Sequence, residues 1–582
     1  MKTDRKDIAD VFADLYESLY ADLHGKTDDD KYKYKYNDDD DVTPSEVDDI
    51  RGHEVKAQLK RMSKRKCADE AGVVMELLAY GGDELAGALA EIFTDILQGR
   101  AAIPDSWKMS RITVLFKKGD KALPENYRPI CIIPIFYKLF SKIIFKRMHG
   151  ALDDAQSRDQ AGFRPGFSCE DHLFTVAMLV EKSNEFGRPC WIATLDFKKA
   201  FDTITQESIW EALSEQGVAH AYILVLRRLY NGQQAAVKTD EMSRTFRIFR
   251  GTKQGDPISP VLFNSVVEKF MRVLKMKWLT KRWGVQLGWE AGSEITNLRF
   301  ADDILLTART LPQLRSMISD VAREALKVGL ELHGGKTKIV HNGIGYGSRV
   351  TKTNCNGLDI DVLNCEDHVM YLGRALCLTD MHDEELRNRS AKAWGKFSIY
   401  RNELTDRDIP VKHRLKLFDA VITPTMLYSS GTWVVTIERQ RRLRATQRRM
   451  LRMMLSSKRT YKDNEGTIED YVEWVQRATR EVEKTMAAHG IKDWVGQQRL
   501  RLWQWAGKVA RMKDSRWTHE ILHWELLGGR PQGRPRTRWL DQFLPFVEHK
   551  LERQLQEGEW MHIAADTNLW SSWQEDYVKL IG

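Results

Sequence analysis

A chain of 582 residues exceeds one ordinary domain, so three or more packed units are expected. Its 42% hydrophobic and 10% aromatic content supplies real cores and excludes global disorder. The net charge of +8 hides an asymmetry: residues 1–60 carry 17 Asp/Glu against 10 Lys/Arg, leaving +15 on residues 61–582, the footprint expected of a nucleic-acid binder. The seven cysteines (67, 131, 169, 190, 355, 365 and 377) show no zinc-like close spacing and read as reduced thiols. The N-terminus has no apolar signal region. The most apolar stretch, 129–145, is broken by Lys138 and Lys142, which suits a buried amphipathic helix better than a membrane span. A soluble intracellular protein, nuclear or cytoplasmic, is expected, neither secreted nor held in a membrane.

Residues 1–53 read as an acidic low-complexity segment. Aspartates 28–30, a Lys-Tyr alternation over 31–36 and aspartates 38–41 repel one another and bury nothing, so 27–50 is expected to be a linker or tail. Residues 54–105 are helical in pattern, with helices over 73–78 and 85–97 separated by Gly81-Gly82. Strand-like and helix-like segments mix over 106–380, and every chemical motif falls there. Residues 381–460 turn helical, and 461–582 form a basic, Trp-rich helical region with a boundary near 460–466. The class is α+β.

Two segments carry the chemistry. In Trp191-Ile-Ala-Thr-Leu-Asp196-Phe-Lys-Lys-Ala-Phe201-Asp202, a short buried strand over 192–195 delivers Asp196 at its end. In Asn297-Leu-Arg-Phe300-Ala-Asp302-Asp303-Ile-Leu-Leu306, apolar residues flank an acidic pair, as in a hairpin whose tight turn displays carboxylates. Joining nucleotides requires a deprotonated 3′-hydroxyl and a stabilised pyrophosphate. Two Mg²⁺ ions on a few carboxylates supply both, with Mn²⁺ as a substitute. Side chains alternate along a strand, so Asp302 and Asp303 cannot aim at one point. Asp196 and Asp302 are therefore expected as direct ligands, and Asp303 as a weaker one. An isolated Asp-Asp pair would more simply be solvated; the surrounding motifs decide otherwise.

Leu195-Asp196-Phe-Lys-Lys-Ala-Phe201-Asp202, Gly251-Thr-Lys-Gln254-Gly255-Asp-Pro257-Ile-Ser-Pro260 and Phe300-Ala-Asp302-Asp303 follow one another in that order. Upstream lie Lys66-Cys-Ala-Asp69-Glu-Ala-Gly72, Lys117-Lys118-Gly-Asp120, Asn126-Tyr127-Arg128-Pro129 and Gln160-Ala-Gly-Phe-Arg164-Pro-Gly-Phe-Ser168. Downstream lie Gly329-Leu-Glu-Leu, Lys336-Thr-Lys338 and Tyr371-Leu372-Gly373. Together these motifs resemble the reverse transcriptases of non-LTR (LINE-type) retrotransposons over roughly residues 65–380. The resemblance implies a right-hand polymerase of fingers, palm and helical thumb with a mainly helical C-terminal extension. It further implies extension of a DNA primer on an RNA template with dNTPs.

Residue by residue, the resemblance places the metals on Asp196, Phe197, Asp302 and Asp303. It implies triphosphate contacts at Lys117, Arg128 and Arg164, and nucleotide packing at Gln254 and Gly255. Lys336 would protonate the leaving pyrophosphate, and Tyr371-Leu372-Gly373 would form a primer grip. His333 departs from the pattern, standing where Asn is expected. Gly255 has its own logic, since a missing Cβ lets backbone approach a substrate. Phe201, five residues after Asp196, would set a ring beneath the sugar and exclude a 2′-hydroxyl, favouring dNTPs.

Beyond the palm, residues 439–454 read as a helix with Leu443, Met450 and Met454 on one side and arginines around the rest, suited to phosphates. The stretch around Gly529, Gly533, Arg534 and Arg538 reads as a generic nucleic-acid contact. Trp503, Trp505, Trp517, Trp524 and Trp539 read as a small helical core. No nuclease-like cluster is visible, so mobilisation is expected to need a nuclease from another polypeptide or a pre-existing break. Two other readings are a catalytically silent retroelement relic that only binds nucleic acid, against which the intact acidic motifs speak, and an intron-encoded maturase, for which no His-Asn-His cluster is seen.

Overall fold

The computed structural model describes residues 4–21, 46–288, 292–346, 350–460, 468–524, 530, 532–533 and 536–580. Its strands in chain order are β1 (Met109–Phe116), β2 (Tyr127–Ile132), β3 (Trp191–Leu195), β4 (Gln234–Lys238), β5 (Phe246–Arg247), β6 (Val285–Gln286), β7 (Glu294–Ile295), β8 (Asn297–Phe300), β9 (Asp303–Ala308), β10 (Lys338–His341), β11 (Lys352–Cys355), β12 (Leu358–Val362), β13 (Val369–Tyr371) and β14 (Arg374–Leu376). The palm is a six-stranded sheet in the order β11-β12-β10-β3-β9-β8, and the fingers carry a four-stranded sheet, β2-β1-β4-β5. Two short pairs, β6-β7 and β13-β14, complete the strands.

Alternation along the palm strands distributes their side chains between two buried faces. Trp191, Ala193 and Leu195 of β3 join Ile304, Leu306 and Ile339 in one core, with the helices Ser259–Thr280 and Leu311–Lys327. Ile192 joins Leu305 and Val340 in a second core, with the helix Cys169–Glu185 and the C-terminal tryptophans. A strand covered on both faces needs a nearly continuous apolar run, and 191–195, interrupted only by Thr194, supplies one.

The thumb helices Met381–Ile399, Val411–Met426 and Ile437–Met454 hold a third core around Leu386, Phe397, Phe418, Leu443 and Met450. Trp503, Trp505, Trp517, Trp524 and Trp539 are all buried, but in the core they share with palm helix Cys169–Glu185 rather than in one of their own. All seven cysteines are free. Among the described residues no helix is long and apolar enough to cross a membrane.

Two expectations are corrected. The stretch 129–145 is not one helix: β2 runs to Ile132, and Pro134 caps a helix that begins at Ile135. Proline cannot donate in a helix interior but suits its start. Within the acidic segment 1–53, Arg5–Tyr20 is a helix. Asp4 caps it by accepting from Lys6 N and Asp7 N, and it buries Ala9, Phe12, Ala13, Tyr16 and Tyr20 along one face. Residues 22–45 and 461–467, which hold most of the expected linker and domain boundary, lie outside the described residues.

Candidate functional site

Strand β3, anchored on both faces, ends at Asp196. Antiparallel β8 and β9 close with Phe300 opposite Asp303, leaving Ala301-Asp302 as a two-residue turn in which Ala301 takes φ 57°. That turn is braced from behind by fully buried Gln160, whose Oε1 accepts from Gly162 N at 2.8 Å and Ala301 N at 3.0 Å. A Cβ on Gly162 would stand 2.5 Å from Ala301 N, so only glycine fits there. Gln160 and Gly162 were legible as a motif, but not as the support of the acidic turn.

β3 pairs with β9 through Leu195 and Ile304, which brings Asp196 beside the turn. The Asp196 backbone is fixed by His333 N at 2.8 Å from its carbonyl and by Thr337 Oγ1, which accepts from its N–H at 3.4 Å. Its Oδ2 is shut off from solvent and accepts no hydrogen bond, with Lys336 Nζ 3.3 Å away. Phe197 is buried and bridges its backbone to Leu332. A cavity of about 80 Å³ is lined by Asp196, Asp303, Lys336, Met370 and Tyr371, among others. Asp303, expected as the weaker of the pair, thus shares this cavity with Asp196.

The electrostatics are those of crowded carboxylates. Enclosure in the fold raises the Asp302 carboxyl, and the charge of Asp196 raises it further. Although the Asp303 side chain is open to solvent, desolvation by the surrounding cleft and the charges of Asp302 and Asp196 push it up to about 6. Three cations face them. Partial desolvation lowers Lys117, and the positive charges of Arg128 and Lys336 lower it more. Lys117 and Arg128 stand exposed on the β1–β2 side of the cleft. Among the described residues no three acidic, His or Cys side chains are gathered into a self-sufficient metal site. That donor set still fits Mg²⁺, which polymerases hold with one or two carboxylates and let substrate phosphates complete. Repelling carboxylates, and a buried Asp196 Oδ2 that accepts no hydrogen bond and has Lys336 as its charged neighbour, are what a cation would relieve.

Phe201 is half-buried and stacks on Phe263 with ring centroids 4.5 Å apart, while its carbonyl accepts from Thr252 N at 2.7 Å. Gln254 gives its Nε2 to Asp202, 2.9 Å from both carboxylate oxygens, and its carbonyl to Cys131 N at 2.8 Å. Gly255 is required for a different reason than expected. It takes φ 122°, and a Cβ there would lie 2.7 Å from the Cys131 carbonyl oxygen, so the close neighbour is fingers strand β2.

Arg164 is the clearest correction. Its Nε donates to Asp153 Oδ1 at 2.8 Å, Nη1 to the Ser157 carbonyl at 2.9 Å and Nη2 to the Asp153 carbonyl at 3.2 Å. With its plane also over Phe167, the guanidinium is spent on tying the 153–167 loop and is not offered to a triphosphate.

Tyr371-Leu372-Gly373 forms the β13–β14 hairpin turn, with Leu372 and Gly373 both at positive φ. Tyr428 Oη donates to the Leu372 carbonyl at 2.9 Å, and Arg389 and Lys392 donate to that of Gly373, so thumb helices grip the turn. Tyr371 itself is buried, its hydroxyl 3.3 Å from His172 Nδ1. On the helix Ile437–Met454 the arginines do not all fan into solvent. Arg439 and Arg442 pair with Asp383, Arg444 with Asp493 and Arg448 with Glu483. Arg441 and Arg449 remain exposed and form no ion pair among the described residues. In the Gly529–Arg538 stretch, residues 529, 531, 534 and 535 lie outside the described residues, and Arg538 pairs with Asp541.

A palm sheet carrying three aspartates, flanked by a fingers sheet and a helical thumb, defines a right-hand polymerase. The family described as "Reverse transcriptase (RNA-dependent DNA polymerase)" matches residues 116–376. A transposon-derived protein of Caenorhabditis elegans is 30% identical over 291 residues, which cover 48% of this chain and 95% of that protein. The Pol polyprotein of the type-2 retrotransposable element R2DM of Drosophila melanogaster is 30% identical over 237 residues, 40% of this chain and 21% of that one. The 115 kDa protein of the type-1 element R1DM of the same fly is 26% identical over 390 residues, 64% of this chain and 35% of its own length. The chain belongs to the reverse transcriptase family, among those of non-LTR retrotransposons. It spans about a fifth to a third of the R2DM and R1DM proteins. The apo telomerase of Candida tropicalis superposes with a TM-score of 0.35 at 14% identity, covering 72% of this chain and 69% of that one, too distant to weigh on the assignment.

Proposed function

We propose that this chain is an RNA-directed DNA polymerase that extends a DNA primer on an RNA template with dNTPs. The observation that carries the reading is the approach of Asp196 to the Ala301-Asp302 turn, opposite Lys117, Arg128 and Lys336. Divalent ions, Mg²⁺ or Mn²⁺, would be held by Asp196, Asp302 and Asp303, with Phe197 beside them, and supply the charge that activates the primer hydroxyl and stabilises the leaving pyrophosphate. Lys117 and Arg128 meet the triphosphate from the fingers side. Lys336, beside Asp196, is placed to give a proton to the departing oxygen. Phe201 walls the pocket beneath the sugar, and Gln254 packs on the incoming nucleotide.

The β13–β14 turn holds the primer end against the palm, where the thumb helices fix it. Target-primed insertion would need a nick supplied by a separate endonuclease. The test is extension of oligo(dT) on poly(rA) by the purified chain, with and without chelator. Metal-dependent incorporation of dTTP supports the reading, and nucleic-acid binding without incorporation under any divalent ion would replace it with the silent-relic reading.

A further inference from the structure

Asp202 is only 2% exposed and follows Phe201, the residue that the reading above sets beneath the nucleotide sugar. Tyr20 Oη donates to its Oδ1 at 2.9 Å, and Gln254 Nε2 lies 2.9 Å from each oxygen. Tyr20 belongs to the N-terminal helix Arg5–Tyr20, remote in sequence from everything else in the pocket. The end of that helix is fastened to the segment leading into the Gln254 turn: Phe249 N donates to the Tyr20 carbonyl at 3.0 Å and Arg250 Nε to the Leu19 carbonyl at 2.8 Å. Gly251, at φ 82°, packs so closely that a Cβ would stand 2.6 Å from the Asp202 carbonyl oxygen. Tyr20, Phe201, Asp202 and Gln254 are therefore tied together through these contacts.

An amide has a donating end and an accepting end, whereas an ionised carboxylate only accepts. Asp202 therefore selects the NH₂ of Gln254 and leaves the side-chain oxygen of Gln254 at the other end, while the Tyr20 hydroxyl pins Oδ1 of the carboxylate. We propose that Tyr20 and Asp202 are positioning residues of the nucleotide pocket, holding Gln254 with its acceptor oxygen toward the incoming nucleotide, so that the N-terminal helix takes part in substrate selection. This rests on the polymerase reading above. An acceptor at that position favours a nucleotide that offers a sugar hydroxyl over one that offers none. Burial pushes the Asp202 carboxyl up to about 6, against the Tyr20 hydrogen bond, the Lys199 charge and the Gln254 hydrogen bond, so the group is ionised at neutral pH but at a cost.

That cost separates positioning from mere support. Asn in place of Asp202 removes a buried charge and can still accept from Tyr20, yet it offers Gln254 both a donor and an acceptor and no longer dictates which end turns outward. The experiment uses the full chain as wild type, Y20F and D202N on poly(rA)/oligo(dT), reading KM and kcat for dTTP, preference for dTTP over ddTTP, and the melting midpoint at pH 7.5. Y20F is expected to raise KM for dTTP about threefold to tenfold, and D202N about tenfold or more, the scale of a hydrogen bond to a charged group. Both should reduce the preference for dTTP over ddTTP, with the D202N midpoint equal to or above that of wild type. An active wild type whose variants keep its KM and its preference, whatever happens to kcat or to the midpoint, overturns the inference alone. A wild type that adds no nucleotide overturns the polymerase reading and this inference with it.

Discussion

Replacing Asp159 with Asn tests whether the C-terminal region is locked to the palm by a buried charge. Asp159 is fully buried and accepts from Lys275 Nζ at 2.6 Å, Trp517 Nε1 at 2.7 Å and Ser157 Oγ at 2.8 Å, with Arg299 Nη2 4.0 Å away. Trp517 belongs to the C-terminal region, Lys275 to a palm helix and Arg299 to β8, so one carboxylate joins three elements. Burial alone would raise this carboxyl, but Lys275, Arg299 and the Lys275 and Trp517 hydrogen bonds outweigh it and bring it down to about 2.

A carboxyl held below its unfolded value of 3.8 stabilises the fold above that value, and the contribution is lost as pH falls through about 2. The difference corresponds to about 2–3 kcal/mol. D159N removes it and leaves Arg299 and Lys275 with one acid fewer, a defect of about 3–5 kcal/mol in buried pairs. Thermal melts of wild type and D159N should differ by about 2–4 °C at pH 7. The gap should stay constant from pH 8 to 5 and narrow only below about pH 4. Equal midpoints at pH 7, or a gap that has already closed near pH 6, would refute the reasoning.

Phe201→Ala or Phe201→Val should admit ribonucleotides, read as the ratio of rNTP to dNTP incorporation; an unchanged ratio would leave the ring a packing partner of Phe263 only. On the helix Ile437–Met454, R441Q/R449Q should flatten the slope of log affinity against log salt for primer–template by up to about two units, one for each lost phosphate contact. R442Q/R448Q, whose arginines are spent on Asp383 and Glu483, should lower the melting midpoint and leave that slope unchanged. Arg164→Gln should destabilise the chain while KM for dNTP stays within about twofold, since only uniform substrate binding would move KM alone.

The acidic centre was legible in sequence because its signals are local. An apolar run ending in Asp196 and an acidic pair between apolar residues each specify a strand and the carboxylates at its end within a dozen positions. The structure reproduces both, with the turn at Ala301-Asp302. What escaped depends on pairing across long separations. The acids that occupy Arg442 and Arg448 lie on other helices, and periodicity within one helix cannot show them. Arg164 looked like a phosphate contact because Asp153 and the 157–160 carbonyls that absorb it meet it only through a loop. Gly255 carried the right residue type, but its steric partner, Cys131, comes from fingers strand β2, far away in sequence. The N-terminal helix was hidden by composition: the acid-rich surroundings masked Phe12, Tyr16 and Tyr20 at helical spacing, and nothing local to them names Asp202.

The central claim, that the palm aspartates perform nucleotidyl transfer, is tested most directly by single-turnover addition of dTTP to oligo(dT) on poly(rA) in Mg²⁺. Asp196→Asn and Asp302→Asn should each slow the addition by about two to three orders of magnitude or more, the scale of losing a principal electrostatic stabiliser, with primer–template affinity and melting midpoint retained. Asp303→Asn should be milder. Near-normal addition by a folded Asp196→Asn or Asp302→Asn protein would contradict the account.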